Sequence, residues 1–221
     1  MKIDVLDHGY VQLVNHMGTD ITPAESARMS YGASARGWDE GDGKLIQRLL
    51  RDGHTSPFEF NVIVYEIQAP IFVARQLVRH RTASWSEFSM RYADANKLGG
   101  KILVYTPDWR TQSSDNAQVS VSWDHDGSII SERYKAAVQQ SVAAYNDLIV
   151  AGVAREQARM ILPTSVYTKW RMKMDFHNLT KMLKLRNAPD AQWETQQYAK
   201  AMQEIALQVW PKLGELAFES K

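Results

Sequence analysis

The segment from Arg79 to Arg91 carries the side chains best suited to chemistry. Arg79, His80 and Arg81 are consecutive, Ser89 follows after seven intervening residues, and Arg91 adds a further guanidinium. A guanidinium is planar and permanently charged, so it can grip a phosphate through two charge-assisted hydrogen bonds. Three successive side chains at a helix end point in different directions and can serve two ligands at once. The residue types and their spacing therefore predict a site for anionic ligands.

Charge is unevenly distributed along the chain, although the formal net charge is only +1. Residues 75–91 hold four arginines against one glutamate, and residues 153–186 hold eight Lys or Arg against two acids. These segments carry +3 and +6, so the rest of the chain carries −8. On charge alone, two solvated helix faces are the simplest explanation, and the alternative is one anion site built from both segments. A nucleic acid fits poorly because the acidic remainder would repel a long polyanion.

Several common kinds of site are excluded by what the chain lacks. It has no cysteine, which rules out disulfides, thiolate metal sites and a cysteine nucleophile. It has no glycine-rich phosphate loop, because Trp38 stands where such a loop needs its first glycine. Asp124, His125 and Asp126 are adjacent in one loop and are poorly placed to converge on one ion, so no metal is predicted. Side chains must therefore supply the positive charge for any bound nucleotide.

Length and composition are those of an ordinary globular protein. A chain of 221 residues can bury about 70% of its unfolded surface as one unit. Residues 1–7 include acids where a signal peptide needs an apolar stretch, and no apolar run approaches the roughly 18 residues of a membrane span. We therefore expect one cytoplasmic domain over residues 1–221, without a membrane segment.

Hydrophobic periodicity predicts the elements that must position the cationic side chains. Strands are predicted over residues 2–6, 10–14 and 61–68, and residues 167–174 alternate between apolar and cationic side chains. Strands early and late in the chain, with helices between them, favour a single α+β domain over a doubly wound parallel sheet. Helices are predicted over residues 22–30, 42–53, 70–82, 138–152, 154–162, 176–186 and 189–211.

Two predicted segments bear directly on the site. In the helix predicted over residues 70–82, Gln76, Arg79 and His80 share one stripe at positions i, i+3 and i+4, and a Ser-rich loop follows it. Residues 106–131 are rich in Ser, Asp, Asn and Gln, which predicts a long surface excursion.

Several segments resemble those of the flavin-dependent thymidylate synthases. The resemblance covers essentially the whole chain in the expected order, and it is weakest over residues 106–131. The matching segments are residues 79–89 (R-H-R-x7-S), residues 53–59 (G-H-x-[ST]-P-F-E), residues 158–163 (A-R-x-x-L-P), residues 178–186 (N-L-x-x-x-L-x-L-R) and the pair Ala191 and Gln192.

The resemblance implies an activity that agrees with the missing cysteine. Members of this family convert dUMP to dTMP with FAD as cofactor, methylenetetrahydrofolate as carbon donor and NADPH as reductant, and they use no enzyme thiol. The resemblance also implies the thymidylate synthase-complementing protein fold, which has a mostly antiparallel sheet packed with helices, and a homotetramer whose active sites are shared between subunits. A member that has lost catalysis would keep this fold, but Arg186, Arg91 and His80 are all present.

Individual roles are carried over from the family by position. Arg186 is implied to be catalytic, because it would face the uracil ring and favour negative charge at N3 and the carbonyl oxygens. The implied FAD contacts are Ser56 from a neighbouring subunit, Arg79, His80, Arg81, Glu87, Asp175, His177 and Lys181. The implied dUMP contacts are Gln76, Arg79, Glu87, Ser89, Arg91, Arg159 and Arg186.

Two of these positions depart from the pattern of the family. Asp175 stands where the family more often has Asn, and Lys181 stands where Asn or His is usual. An acid beside a flavin disfavours its anionic reduced form, whereas a lysine favours that form. The two departures therefore act in opposite directions on the flavin.

Overall fold

An antiparallel sheet of five strands forms the centre of the protein. The computed structural model describes residues 1–32, 37–116, 118–123 and 126–218. The strands of the central sheet are β1 (Lys2–Val5), β2 (Gly9–Met17), β3 (Val62–Pro70), β4 (Ser84–Glu87) and β7 (Tyr167–Asp175), and a separate hairpin contains β5 (Arg110–Gln112) and β6 (Ser120–Ser122). The order in the central sheet is β1-β2-β3-β7-β4, and every neighbouring pair is antiparallel. The predicted α+β class with a mostly antiparallel sheet is confirmed.

Helices pack against this sheet and connect its strands. The described residues form α1 (Thr22–Arg28), α2 (Glu40–Arg51), α3 (Ile71–Leu77), α4 (Ser128–Val150), α5 (Arg155–Ala158), α6 (Phe176–Arg186), α7 (Trp193–Val209) and α8 (Pro211–Phe218). Within the parts of the chain that the structure describes, none of these helices has the length and apolarity needed to span a bilayer.

The core lies between the sheet and α7. On β7, Trp170, Met172 and Met174 are buried while the alternating cationic residues are not, as the sequence pattern predicts. The hydroxyl of Tyr65 on β3 donates to the carbonyl oxygen of Met202 on α7, with a distance of 2.9 Å. Because a buried polar group is costly without a partner, this bond fixes the position of α7 on the sheet.

The helix predicted over residues 70–82 is wrong in its extent. Strand β3 continues through Pro70, and α3 ends at Leu77. A turn follows, in which the backbone N–H of His80 donates to the carbonyl oxygen of Leu77 over 3.1 Å. Arg79, His80 and Arg81 therefore lie on a turn beyond the helix, and the predicted helical stripe through Gln76, Arg79 and His80 does not form.

A strand that the sequence did not predict follows this turn. The Ser-rich segment Ser84–Glu87 forms β4 and pairs with β7 at the edge of the sheet. Trp85 stacks on the buried Trp170 with ring centroids 5.4 Å apart, and this contact holds the edge strand in place. The cationic turn and the loop with Ser89 and Arg91 are thus attached to opposite ends of one short strand.

Several element boundaries also differ from the prediction. Helix α2 is capped by Asp39, with Asp42 as its reciprocal partner in the capping box, whereas the prediction began this helix at residue 42. The last predicted helix begins at Trp193 and not at Pro189, and α8 begins at Pro211, where the prediction ended. Proline suits the first turn of a helix because its missing N–H would have no partner there.

The predicted excursion at residues 106–131 is shorter than expected. It contains the β5–β6 hairpin, and α4 begins inside it at Ser128. Asp124 and His125, for which the sequence predicts no metal, lie outside the described residues. Among the residues described, no group of three or more His, Asp or Glu is placed to hold a metal ion.

Candidate active site

Arg186, the last residue of α6, lies against the turn that follows α3. Its Nε donates to Nε2 of His80 over 3.1 Å, and its Nη2 donates to the backbone carbonyl oxygen of Gln76 over 2.8 Å. The side-chain amide of Gln76 donates in turn to Oε1 of Gln192, just before α7. Two hydrogen bonds therefore join the Arg186 guanidinium to residues 76–80, and a third joins Gln76 to Gln192.

Electrostatics favour an uncharged His80 beside a charged Arg186. Burial, and then the positive charge of Arg186, lower the pKa of His80. Burial also lowers the pKa of Arg186, but a guanidinium stays protonated in proteins. Since Nε2 of His80 accepts a hydrogen bond, the imidazole carries its single proton on Nδ1. The result is a fixed cation held by two neutral acceptors.

This arrangement predicts a loss of activity and of stability in acid. Protonation of His80 removes the acceptor at Nε2 and places two cations side by side, so kcat/KM is expected to fall as the pH drops through the lowered pKa. The folded protein binds this proton less readily than the unfolded chain does. Stability therefore also falls as the pH drops below the ordinary histidine value of about 6.5.

The measurement is an NMR titration of the His80 ring in wild type and in Arg186→Met. Removing the cation is expected to raise the pKa of His80. Lys184→Met, on the exposed face of the same helix, is the control and should leave that pKa unchanged. Equal His80 pKa values in wild type and Arg186→Met would contradict the contact.

A second cluster forms at the other end of β4. The Nε atom of Arg91 lies 3.3 Å from Oε2 of Glu156 on α5, and the backbone N–H of Arg91 donates to the hydroxyl of Ser89. Arg159 follows one turn after Glu156, and it is exposed. Met90 and Ala158 belong to one apolar cluster, which holds the loop and α5 together. The structure thus brings Ser89, Arg91 and Arg159 into one region.

Glu87 lies between the two clusters, at the end of β4. Its Oε1 accepts a hydrogen bond from the hydroxyl of Thr168 on β7, over 2.7 Å. Thr168 is buried, so this bond fixes a carboxylate at the sheet edge between the cationic turn and the Ser89 loop. The position of the Glu87 carboxylate therefore depends on its contact with β7.

The remaining predicted FAD residues lie at the start of α6 and in the segment before β3. Asp175 is the N-cap of α6, and its two oxygens accept from the backbone N–H and the side-chain amide of Asn178 at 2.9 and 2.7 Å. Asp175, which stands where the family more often has Asn, thus caps the N-terminus of α6. His177 lies in the first turn of α6 and Lys181 is exposed one turn later, while Ser56 lines a separate cleft.

Sequence reasoning did not assign roles to three residues that contact the site. Gln192 contacts Gln76, Glu156 contacts Arg91, and Thr168 contacts Glu87. Only Gln192 carried a signal, because it belongs to a segment typical of the family. The other two contacts depend on packing between elements, which periodicity does not reveal.

The fold and these clusters define an α+β protein equipped to bind small anions. A family model described as thymidylate synthase complementing protein matches residues 12–212. A flavin-dependent thymidylate synthase of Thermus thermophilus is 45% identical over 99% of this chain and 78% of its own. The enzyme of the same name from Treponema denticola is 42% identical over 95% of this chain and 79% of its own.

A solved structure gives the same assignment from the fold. The crystal structure of the UMP/dUMP methylase PolB from Streptomyces cacaoi, bound with 5-Br dUMP, superposes with a TM-score of 0.84 at 29% identity. The match covers 97% of this chain and 96% of the other. The chain belongs to the thymidylate synthase complementing protein family, whose curated relatives here are flavin-dependent thymidylate synthases.

Proposed function

We propose that this protein is a flavin-dependent thymidylate synthase. It converts dUMP to dTMP by reductive methylation, with methylenetetrahydrofolate as the carbon donor and NADPH, through FAD, as the reductant. Besides family membership, the observation that carries this proposal is the pair of hydrogen bonds that hold the Arg186 guanidinium against His80 and Gln76. A preorganised cation of this kind can stabilise the negative charge that develops on a pyrimidine ring during reaction.

The two clusters would bind different parts of dUMP, one the phosphate and the other the uracil ring. Ser89, Arg91 and Arg159 would take the phosphate, since the Ser89 loop and the segment that carries Arg159 pack together at one end of β4. Arg186 would face the uracil ring and polarise it, with Gln76 beside it. Glu87 lies between these ends, and Arg79 precedes His80 on the turn that contacts Arg186. Both would complete the site. The chain has no cysteine, so no enzyme thiol adds to the ring.

The residues of the cationic turn fit a large anionic cofactor. Arg79 and Arg81 are both exposed, and neither forms an ion pair with any residue in the described ranges. They and His80 would hold FAD, together with Glu87 and the α6 residues Asp175, His177 and Lys181. FAD, when bound, supplies the hydride that completes the methyl group. The described chain contributes the charges that bind and orient both ligands.

Shared active sites in a homotetramer are part of this proposal. Ser56 lines a cleft with His54, Arg28 and Arg48, apart from the Arg186 and Arg91 clusters. This position suits a residue that completes the FAD site of a neighbouring subunit. Folate binding and a cytoplasmic location complete the proposed function.

The experiment that tests the function measures tritium release from labelled dUMP by purified protein. Release is expected with methylenetetrahydrofolate, and formation of dTMP should depend on NADPH. The protein should also be yellow or take up added FAD. Protein that binds no flavin and forms no dTMP would overturn the proposal.

UMP is the second candidate substrate. The structural neighbour from Streptomyces cacaoi is described as a UMP/dUMP methylase and was also solved with 5-Br UMP. The curated relatives at 45% and 42% identity are thymidylate synthases, which favours dUMP here. Running UMP in parallel under the same conditions separates the two, and faster turnover of UMP would reverse the assignment.

A further inference from the structure

Gln192 occupies an unusual position for a side chain that contacts the site. It is the residue that caps the N-terminus of α7, with backbone angles φ −56° and ψ 130°, but its side chain makes no cap hydrogen bond. Its Oε1 instead accepts from the side-chain amide of Gln76, 116 residues earlier in the chain. The side chain therefore serves the end of α3 and not its own helix.

Gln76 in turn connects this contact to Arg186. Its backbone carbonyl oxygen accepts from Nη2 of Arg186, while its side-chain amide is held by Gln192. A primary amide has two donor hydrogens and one acceptor oxygen, and the torsion that turns it is soft. The bond to Gln192 uses one N–H and fixes the orientation of the amide, which leaves the second N–H and Oε1 of Gln76 available.

The segment that carries Gln192 is restrained on both sides. On one side, the buried Glu194 accepts from Arg110 of the β5–β6 hairpin and from the Tyr105 hydroxyl, and the Arg110 guanidinium carbon lies 4.9 Å from the centre of the Trp193 ring. On the other side, Gln196 donates to the carbonyl oxygen of Ala191 over 2.7 Å. The oxygen of Gln192 is therefore held at a defined place.

We propose that Gln192 is a positioning residue that sets the orientation of the Gln76 amide for recognition of the uracil ring. This inference rests on the proposed function, since it takes dUMP as the ligand. The Watson–Crick edge of uracil presents an N–H at N3 between two carbonyl oxygens, whereas cytosine presents an acceptor at N3 and an amino group beside it. An amide of fixed orientation can pair its donor and acceptor with those of one base, but it then faces like groups on the other base.

The expected effect is a loss of both affinity and selectivity. In Gln192→Leu, which keeps the size but removes the acceptor, the Gln76 amide can turn over. We expect the Kd for dUMP to rise about 10-fold, and the preference for dUMP over dCMP in competition binding to fall. Gln192→Glu keeps an acceptor oxygen and should retain most of both. Such rescue, and a changed preference between bases, would not follow from a merely structural role.

The matched control is Gln197→Leu, on the same helix, where the lost hydrogen bond goes only to the Trp193 carbonyl oxygen. It should leave dUMP binding unchanged. If Gln192 acts through Gln76, Gln192→Leu should have no further effect on dUMP binding in a Gln76→Ala background. An equal loss in both backgrounds, or a Gln192→Leu variant that binds like the control, would overturn the inference.

Two further measurements keep the outcome interpretable. Binding of dUMP to the wild-type holoenzyme is measured first, and its absence would count against the proposed function and not against Gln192 alone. If Gln192→Leu does not fold, Gln192→Asn replaces it, because the shorter amide remains polar but withdraws its oxygen from Gln76. Unchanged affinity and selectivity in Gln192→Asn would then overturn the inference.

Discussion

Replacing Arg186 by alanine is expected to lower turnover by about 100- to 1000-fold while the protein retains its flavin. The guanidinium is half-buried and is held by His80 through Nε and by Gln76 through Nη2. Its Nη1 hydrogens remain available to a ligand. In a partly desolvated site, a cation that needs no reorganisation stabilises developing negative charge more than water does. With no enzyme thiol to attack the ring, we expect this polarisation to supply a large share of the catalysis.

Three measurements check this expectation. Tritium release and dTMP formation give the turnover, and the visible absorbance gives the ratio of flavin to protein. Arg186→Lys keeps the charge but cannot contact both His80 and Gln76, so its activity should lie between wild type and alanine. Lys184→Ala on the exposed face of α6 should behave as wild type. Loss of the flavin in Arg186→Ala would reassign the residue to cofactor binding, and unchanged turnover would contradict its role.

Buried elements were the part of the fold that the sequence predicted well. Strand β7 alternates between buried and cationic residues, and one face of it packs in the core, so its pattern is visible without any partner. Strand β4 has only four residues, of which Trp85 alone packs inward at the edge of the sheet. Two serines in such a short segment are typical of a loop. The segment forms a strand because it pairs with β7.

Helix ends were harder to predict than helix interiors. The apolar spacing after residue 70 continues past Leu77, but the chain leaves the helix there for a turn that presents the cationic residues. The capping box of α2 can be read with either Asp39 or Asp42 as its first member, because each carboxylate accepts from the other's backbone N–H. Local sequence does not distinguish these alternatives, whereas the packing of each helix does.

In the candidate site, the sequence indicates which residues have a role but does not reveal which contacts they make. The resemblance to the family assigns roles to Arg186 and Gln76, but the hydrogen bonds among Gln76, Gln192 and Arg186 join segments up to 116 residues apart. Glu156 has no motif of its own, and it becomes relevant only because α5 packs beside the Ser89 loop. Contacts of this kind follow from the tertiary fold and not from spacing.

Arg91→Ala is expected to weaken dUMP binding by about 10- to 100-fold, with a smaller effect on kcat. The reason is that a phosphate loses charge-assisted hydrogen bonds, while the residues around the uracil ring are unchanged. In the structure Arg91 contacts Glu156, and both side chains are more than half exposed. Ion pairs between exposed groups contribute little, so a phosphate can displace Glu156 at small cost.

Glu156→Gln is expected to have the opposite effect on dUMP binding in the same experiment. Removing the competing carboxylate should tighten dUMP binding about twofold, and the gain should shrink at high salt because exposed charges are screened. Arg133→Ala, an exposed arginine on α4, controls for general loss of positive charge. Titration calorimetry at two salt concentrations measures all three variants. Unchanged affinity in Arg91→Ala would show that phosphate binding does not depend on this guanidinium, and would contradict the proposed role of Arg91.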